Sequence, residues 1–98
     1  MNERECRVLI AMQLALLDEI GPDVRGVSVR WTDETVHFDC YVNGVPSSRD
    51  KDSMGVVETE VIAVFPEHHQ VTHTIHRLDV PILLPNDLRW VYTRREDA

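Results

Sequence analysis

An α+β fold, in which two helices cover one face of a four-stranded antiparallel sheet, is predicted by the changes of hydrophobic period along this 98-residue sequence. Apolar residues recur at helical spacing near the N-terminus and again after residue 48, whereas three other segments alternate between apolar and polar residues as β-strands do. A fourth segment, with imperfect alternation, is rich in β-branched residues. The predicted order is α-β-β-α-β-β. Such elements form a two-layer sandwich whose second sheet face is polar and exposed.

The first helix is predicted over residues 3–20. Its apolar stripe consists of Cys6, Leu9, Ile10, Met12, Leu14, Leu16, Leu17 and Ile20. Gly21 and Pro22 end the pattern, because glycine commonly follows the last helical residue and proline cannot continue a helix.

The next two segments predict a β-hairpin. The first alternates through Val27, Val29 and Trp31, and the second places Val36, Phe38, Cys40 and Val42 opposite His37, Asp39, Tyr41 and Asn43. The polar residues 32–35 between them have the length of a short turn, so we expect the two strands to pair antiparallel.

A second helix is predicted to begin at Ser47 or Ser48, either of which can cap it, and to end before Pro66. Its buried stripe would be Met54, Val57, Val61, Val64 and Phe65.

Residues 70–80 are rich in β-branched side chains and predict a third strand. Alternation from Leu88 through Trp90 and Tyr92 predicts the fourth. With no repeat or linker, residues 1–98 are expected to form a single domain.

The formal net charge is −7, with 17 acidic and 10 basic residues. This balance argues against nucleic acid as a direct ligand, because affinity for nucleic acid comes mainly from Lys and Arg. A basic protein surface would be the complementary partner.

The chain is expected in the cytoplasm, because the sequence has no apolar run long enough to cross a bilayer and no evident export signal. In that reducing compartment, Cys6 and Cys40 are expected to be reduced structural thiols.

Signatures of catalysis or cofactor binding are weak in this sequence. The pair Ser47 and Ser48 is not surrounded by a nucleophile elbow, and neither Gly44 nor Gly55 lies in a phosphate-binding pattern. We therefore expect neither an enzyme nor a bound cofactor.

The histidines His68, His69, His73 and His76 leave an alternative open, since histidine is a common metal ligand. On a strand, however, His73 and His76 would point to opposite faces and could not share an ion. A small metal-binding or regulatory protein that uses this cluster is one alternative function, and an accessory subunit that dimerises through its sheet face is another.

A candidate binding surface lies on the outward side of the predicted hairpin. His37, Asp39 and Tyr41 share that side, and Asp33 and Glu34 occupy the turn beside them. An amphipathic aromatic residue flanked by carboxylates is suited to a protein interface that contacts Lys and Arg. These five residues are the predicted partner-binding site.

Four strings carry a resemblance to a known class of proteins: Phe38–Gly44, Glu58–Pro66, Arg77–Pro81 and Trp90–Glu96. Together with the order of elements, they resemble the small immunity proteins of bacterial contact-dependent growth inhibition and related polymorphic toxin systems. The resemblance implies binding to the C-terminal domain of a cognate toxin. Such toxins are often nucleases with a basic active-site surface. Together with the acidic charge and the missing catalytic apparatus, the resemblance leads us to expect a ribonuclease whose substrate-binding surface is occluded. No membrane partner is expected, because the apolar runs are too short to cross a bilayer.

Overall fold

The computed structural model describes residues 2–67 and 69–96. Its helices are α1 (Glu3–Leu16) and α2 (Ser48–Ile62), and its strands are β1 (Val24–Trp31), β2 (Thr35–Val42), β3 (Gln70–Arg77) and β4 (Trp90–Thr93). The predicted order of elements and the α+β class are confirmed. His68 of the histidine cluster lies outside the described residues. Within those residues, no helix combines the length and the hydropathy that crossing a membrane requires.

Helix α1 begins at a side-chain cap and ends earlier than the periodicity predicts. The Asn2 side chain accepts a 2.7 Å hydrogen bond from the Glu5 amide and satisfies one free N–H of the first turn. Asp18 has a φ of 66°, a left-handed conformation that stops the helix. The predicted end at residue 20 is therefore wrong, because the backbone turns before Gly21 and Pro22 are reached.

Helix α2 follows its predicted boundaries closely at the N-terminus. Ser47 is the cap, and its Oγ accepts a 3.0 Å hydrogen bond from the Asp50 amide. The helix ends at Ile62, which leaves Val64 outside it and 54% exposed, so the predicted burial of Val64 is wrong. Phe65 is buried as predicted.

The sheet has the strand order β3-β2-β1-β4. β1 pairs antiparallel with both β2 and β4, which confirms the predicted hairpin. β2, however, pairs parallel with β3, so the sheet is mixed and the prediction of an antiparallel sheet is wrong. The reason is the connection: α2 carries the chain back along the sheet between the two strands, and a helical crossover joins parallel neighbours.

One hydrophobic cluster lies between the sheet and the helices. It combines Val8, Met12 and Leu16 of α1, Met54, Val57 and Val61 of α2, Val27 and Val29 of β1, and Val36, Phe38, Cys40 and Val42 of β2, among others. Because both helices share this cluster with the same side of β1 and β2, they cover one face of the sheet. This part of the prediction is confirmed.

Arg25 is a charged residue with only 1% of its surface exposed. It lies where the register of β1 against β2 shifts, so it is the extra residue of a β-bulge. Its Nε and Nη2 donate to the two carboxylate oxygens of Glu96 at 2.7 and 2.9 Å, and its Nη1 donates to the Leu78 carbonyl at 2.7 Å. The ion pair thereby ties β1 to the exit of β3 and to the C-terminal segment.

Removing the Glu96 charge should destabilise the protein. We expect Glu96→Gln to lower the free energy of unfolding by about 2–3 kcal/mol, because the buried Arg25 guanidinium would lose its carboxylate partner. Urea denaturation at pH 7 measures this change. Glu60→Gln, at an exposed position of α2, is the matched control and should leave the unfolding midpoint nearly unchanged.

The same pair predicts an acid-dependent loss of stability. Hydrogen bonding from Arg25, with a further hydrogen bond from Arg94, lowers the pKa of Glu96 from 4.5 to about 2. A carboxylate with a lowered pKa in the folded state stabilises the protein above the pKa of the unfolded chain. The contribution of ionised Glu96 to the free energy of unfolding should therefore be complete above pH 4.5 and decline as the pH falls towards 2. In Glu96→Gln, that part of the acid dependence should disappear from denaturation curves.

Val61 tests the position of the core. It is fully buried in the cluster on α2, so Val61→Asp should unfold the chain by placing an unpaired charge in an apolar environment. The adjacent Ile62 is 41% exposed, and Ile62→Asp should remain folded. Circular dichroism at 25 °C separates the two outcomes, and equal loss of signal in both variants would contradict this placement of the core.

Candidate protein-binding face

The face of the sheet opposite the helices is called the open face. The strand registers place on it Ser28 and Arg30 of β1, His37, Asp39 and Tyr41 of β2, Thr72, Thr74 and His76 of β3, and Trp90 of β4. These residues alternate with the buried ones because successive strand side chains point to opposite faces. The open face is thus built from polar and aromatic side chains on a rigid sheet.

Asp39 lies at the centre of the open face between two histidines. Its Oδ1 is 2.8 Å from Nε2 of His76 and 3.2 Å from Nε2 of His37, and only 15% of the Asp39 side chain is exposed. His37 in turn shares a 2.7 Å hydrogen bond between its Nδ1 and the Thr72 hydroxyl. The carboxylate is therefore oriented before any partner arrives, which reduces the entropy lost on binding.

Tyr41 continues this arrangement towards β4. Its ring stacks on His76 with centroids 4.8 Å apart, and it meets the Trp90 ring at 5.5 Å with an interplanar angle of 60°. Trp90 is itself held by a 3.0 Å hydrogen bond from its Nε1 to the Pro85 carbonyl. Burial, followed by the negative charge of Asp39, raises the pKa of the Tyr41 phenol. The hydroxyl therefore stays neutral at physiological pH and can both donate and accept a hydrogen bond.

Asp33 and Glu34 are exposed in the turn between β1 and β2, at one end of the open face. Arg4 of α1 fixes the turn by donating to the Thr32 carbonyl at 2.8 and 3.2 Å. The first residue of β3, Gln70, donates its amide to the Glu34 carbonyl at 2.9 Å. The backbone of the turn is thus held from two sides while its carboxylates point into solvent.

A groove of about 360 Å³ runs along the β4 side of the open face. Its lining includes Ser28, Arg30 and Asp39 from the strands and Asp87, Leu88 and Arg89 from the connection before β4. Asp87 contributes a second carboxylate. Its negative charge raises the pKa of Tyr41, as the charge of Asp39 does. The groove offers a mainly apolar recess, lined also by these charged side chains, into which a partner side chain could insert.

The predicted site residues fall into two groups. His37, Asp39 and Tyr41 share the open face, as predicted. Asp33 and Glu34 precede the first residue of β2, which places Glu34 about 10 Å from His37 and about 23 Å from Tyr41 at the usual rise per strand residue. The site is therefore an extended surface and not a compact cluster.

Sequence reasoning missed three residues of this surface: His76, Trp90 and Asp87. His76 reaches Asp39 and Tyr41 only because β3 runs parallel to β2 in the observed register. Trp90 reaches Tyr41 across β1, which separates their strands. The alternation of each strand indicates which face these side chains occupy, but no local signal indicates which strands are neighbours.

His73 and His76 point to opposite faces of the sheet, as predicted. His73 stacks on Phe38 and lies 2.9 Å from a carboxylate oxygen of Glu58 on α2, whereas His76 lies on the open face. His69 is buried and stacks on Phe65. Across residues 2–67 and 69–96, no three or more His, Cys, Asp or Glu side chains are grouped so that they could hold a metal ion.

Both cysteines are free thiols. Cys40 is fully buried in the hydrophobic cluster, and this burial raises the pKa of its thiol to about 12. A thiol that stays protonated is a poor nucleophile, so Cys40 packs as a small apolar residue.

The fold and the open face define a small α+β domain whose prearranged polar and aromatic surface is suited to binding another protein. The model of the MafI2 immunity protein family matches residues 5–96, and the chain belongs to this family. It is therefore an immunity protein, and its partner is a cognate toxin. This confirms the resemblance to small immunity proteins of polymorphic toxin systems. A comparison with curated proteins gives no match. Immunity protein families are generally non-enzymatic.

Proposed function

We propose that this immunity protein neutralises the C-terminal domain of a contact-dependent growth inhibition toxin by covering the surface on which that domain binds its substrate. We further propose that the toxin is a ribonuclease and that the covering surface consists of the open face and the turn at Asp33 and Glu34. The observation that carries the proposal is the fixed arrangement of Asp39, Tyr41 and His76 on an exposed sheet.

The open face has the chemical character of a protein interface. Tyr41 and Trp90 form an amphipathic aromatic pair near its centre, and residues of this type dominate binding energy in known interfaces. Carboxylates lie around this pair: Asp39 beside it, Asp87 in the groove, and Asp33 and Glu34 at the end of the hairpin. Arg or Lys side chains of a partner could make cation–π contacts with the aromatic rings and ion pairs with the carboxylates of this surface.

Charge supports a nucleic-acid-processing enzyme as the target. A ribonuclease must present a cationic surface to the phosphates of its substrate, whereas this chain carries a net charge of −7. The opposite charges would steer the two proteins together over about 8–10 Å at physiological ionic strength and raise the association rate. Nucleic acid would be repelled by the same charge.

Occlusion requires only that the complex be large enough and correctly placed. A stable protein interface buries about 1,200–2,000 Å² in total, which the open face, the turn and the groove can supply together. No residue of this chain needs to enter a catalytic centre, because covering the substrate path prevents turnover equally well. The dispersed carboxylates fit such broad coverage.

The cytoplasm is the proposed location of the complex. The free thiols of Cys6 and Cys40 suit a reducing compartment. A ribonuclease toxin would also meet its RNA substrate there, so an inhibitor in the same compartment would intercept it.

Co-expression with the toxin domain encoded directly upstream tests the function. Cells that express the toxin domain alone should lose intact RNA and stop growing, and co-expression of this chain should restore both. The two proteins should also co-purify. Failure to associate and to protect would refute the proposed pairing, whereas protection from a toxin that leaves RNA intact would refute only the ribonuclease assignment.

Charge reversal on the open face should weaken the complex. We expect Asp39→Lys and Glu34→Lys each to lower toxin affinity by at least about tenfold, or about 1.4 kcal/mol, while the chain stays folded. Glu34 has an exposed side chain in the turn, so its variant tests the charge without disturbing the hydrogen bonds of Asp39. Isothermal titration calorimetry gives the affinities, and thermal melts verify folding.

Glu60→Lys is the matched control, because it makes the same charge change at an exposed position of α2, on the other side of the molecule. If the open face binds the toxin, this variant should retain nearly full affinity. An equal loss of affinity in all three variants would show that only the net charge matters and would contradict the assignment of the open face.

A further inference from the structure

β3 forms one edge of the sheet, with β2 as its single neighbour among the described strands. It is eight residues long, and all eight pair with β2 without a register shift. β4, at the other edge, is only four residues long. The two edges therefore differ sharply in the length of backbone that they offer to a further strand.

The hydrogen bonds at the two ends of β3 show which of its backbone groups face outward. The amide of Gln70 donates to the Glu34 carbonyl, and the amide of Leu78 donates to the Val42 carbonyl, both at 2.9 Å. Because strand backbone groups alternate in direction, even-numbered residues face β2 and odd-numbered residues face away from it. The outward residues are Val71, His73, Ile75 and Arg77, which present four N–H and four C=O groups.

Natural proteins usually protect such an edge with proline, lysine, a bulge or a covering segment. β3 contains neither proline nor lysine, and its pairing with β2 is regular. Within residues 2–67 and 69–96, no further strand pairs with it. The His73 side chain is held back towards α2 by Glu58, so it does not extend across the edge. A long, regular strand edge without these protections is a template for another strand.

We propose that two copies of this chain pair through their β3 strands, antiparallel and centred on Thr74, to form a continuous eight-stranded sheet. In this register, Val71 faces Arg77 of the second copy and His73 faces Ile75. All eight outward backbone groups of each β3 then find partners. The proposal is independent of how the toxin binds.

The side chains of this register are compatible with each other. A two-fold axis at Thr74 keeps both open faces on the same side of the joined sheet, so that Thr74 meets Thr74 of the second copy and Thr72 meets His76. Thr–Thr pairs across strands are favourable, and no two like charges lie directly opposite each other.

Charge favours a second copy over the toxin as the occupant of this edge. Residues 70–77 contain no carboxylate and include Arg77, so this strand offers nothing complementary to a cationic toxin surface. A second β3 presents the same uncharged β-branched residues and adds hydrogen bonds that do not depend on charge. The dimer would also place two open faces side by side, each available to one toxin domain.

Sedimentation equilibrium of the purified chain tests the proposal over about 1–200 µM, a range that brackets micromolar dissociation constants. We expect a dimer whose population rises with concentration. Thr74→Lys should shift the chain to monomer, since it places two ammonium groups opposite each other where side chains approach most closely. Thr93→Lys, the same change on the exposed β4 edge, should leave the dimer intact.

Cysteine cross-linking tests the register itself. In the proposed pairing, the two Thr74 Cα atoms are about 4.5 Å apart, so Thr74→Cys should form a disulfide-linked dimer under mild oxidation. The two Thr72 Cα atoms would be about 14 Å apart, and Thr72→Cys should not cross-link. Both variants retain Cys6 and Cys40, which makes Thr72→Cys the matched control in non-reducing electrophoresis.

A chain that remains monomeric across the concentration range would overturn the proposal, as would a dimer that tolerates Thr74→Lys or cross-links better at residue 72. None of these results would alter the test of toxin neutralisation, which compares protection by the open-face variants.

Discussion

Helix α2 carries the chain from the end of β2 back to the level at which β3 begins, so the two strands run in the same direction over eight paired residues. This register places His76 beside Tyr41 and Thr74 beside Asp39. It also leaves the N–H and C=O groups of every second residue of β3 at the outer edge of the sheet. The chemistry of the open face and the free edge are therefore two consequences of one crossover.

The open face differs from a simple imitation of nucleic acid. Its central carboxylate, Asp39, is shared between two imidazoles, and the remaining acids lie at the turn and in the groove. A phosphate mimic would need its charges close together and freely exposed. Charges that are spread over a rigid sheet, around the aromatic pair of Tyr41 and Trp90, instead suit a broad cationic surface on the toxin. This arrangement is the reason for proposing occlusion of the toxin surface and not insertion into a catalytic pocket.

A fold of this size, with one apolar cluster among its described residues, needs additional links between its segments. The Arg25–Glu96 pair provides one, because it joins a bulge in β1 to the C-terminal segment and also holds the Leu78 carbonyl. Arg4 provides another at the opposite end of β1, where it fixes the turn that carries Asp33 and Glu34. Both links join residues that are far apart in sequence, so they orient the loops around the sheet without extending the core.

Hydrophobic periodicity by itself determined the two helices and the four strands, because period depends only on local residue order. It did not determine the buried face of α1, where Ile10, Leu14 and Leu17 of the predicted stripe are more than half exposed. The buried residues of this helix are Val8, Ala11, Met12, Ala15 and Leu16. Periodicity also placed His37, Asp39 and Tyr41 on one face. The sequence could not reveal that β3 lies parallel to β2 or that β4 lies beside β1, since strand pairing depends on contacts between distant segments. Only the tertiary structure therefore brought His76 and Trp90 to Tyr41. The physical reason is that alternation specifies the direction of a side chain, whereas its neighbours are set by the path of the connecting chain.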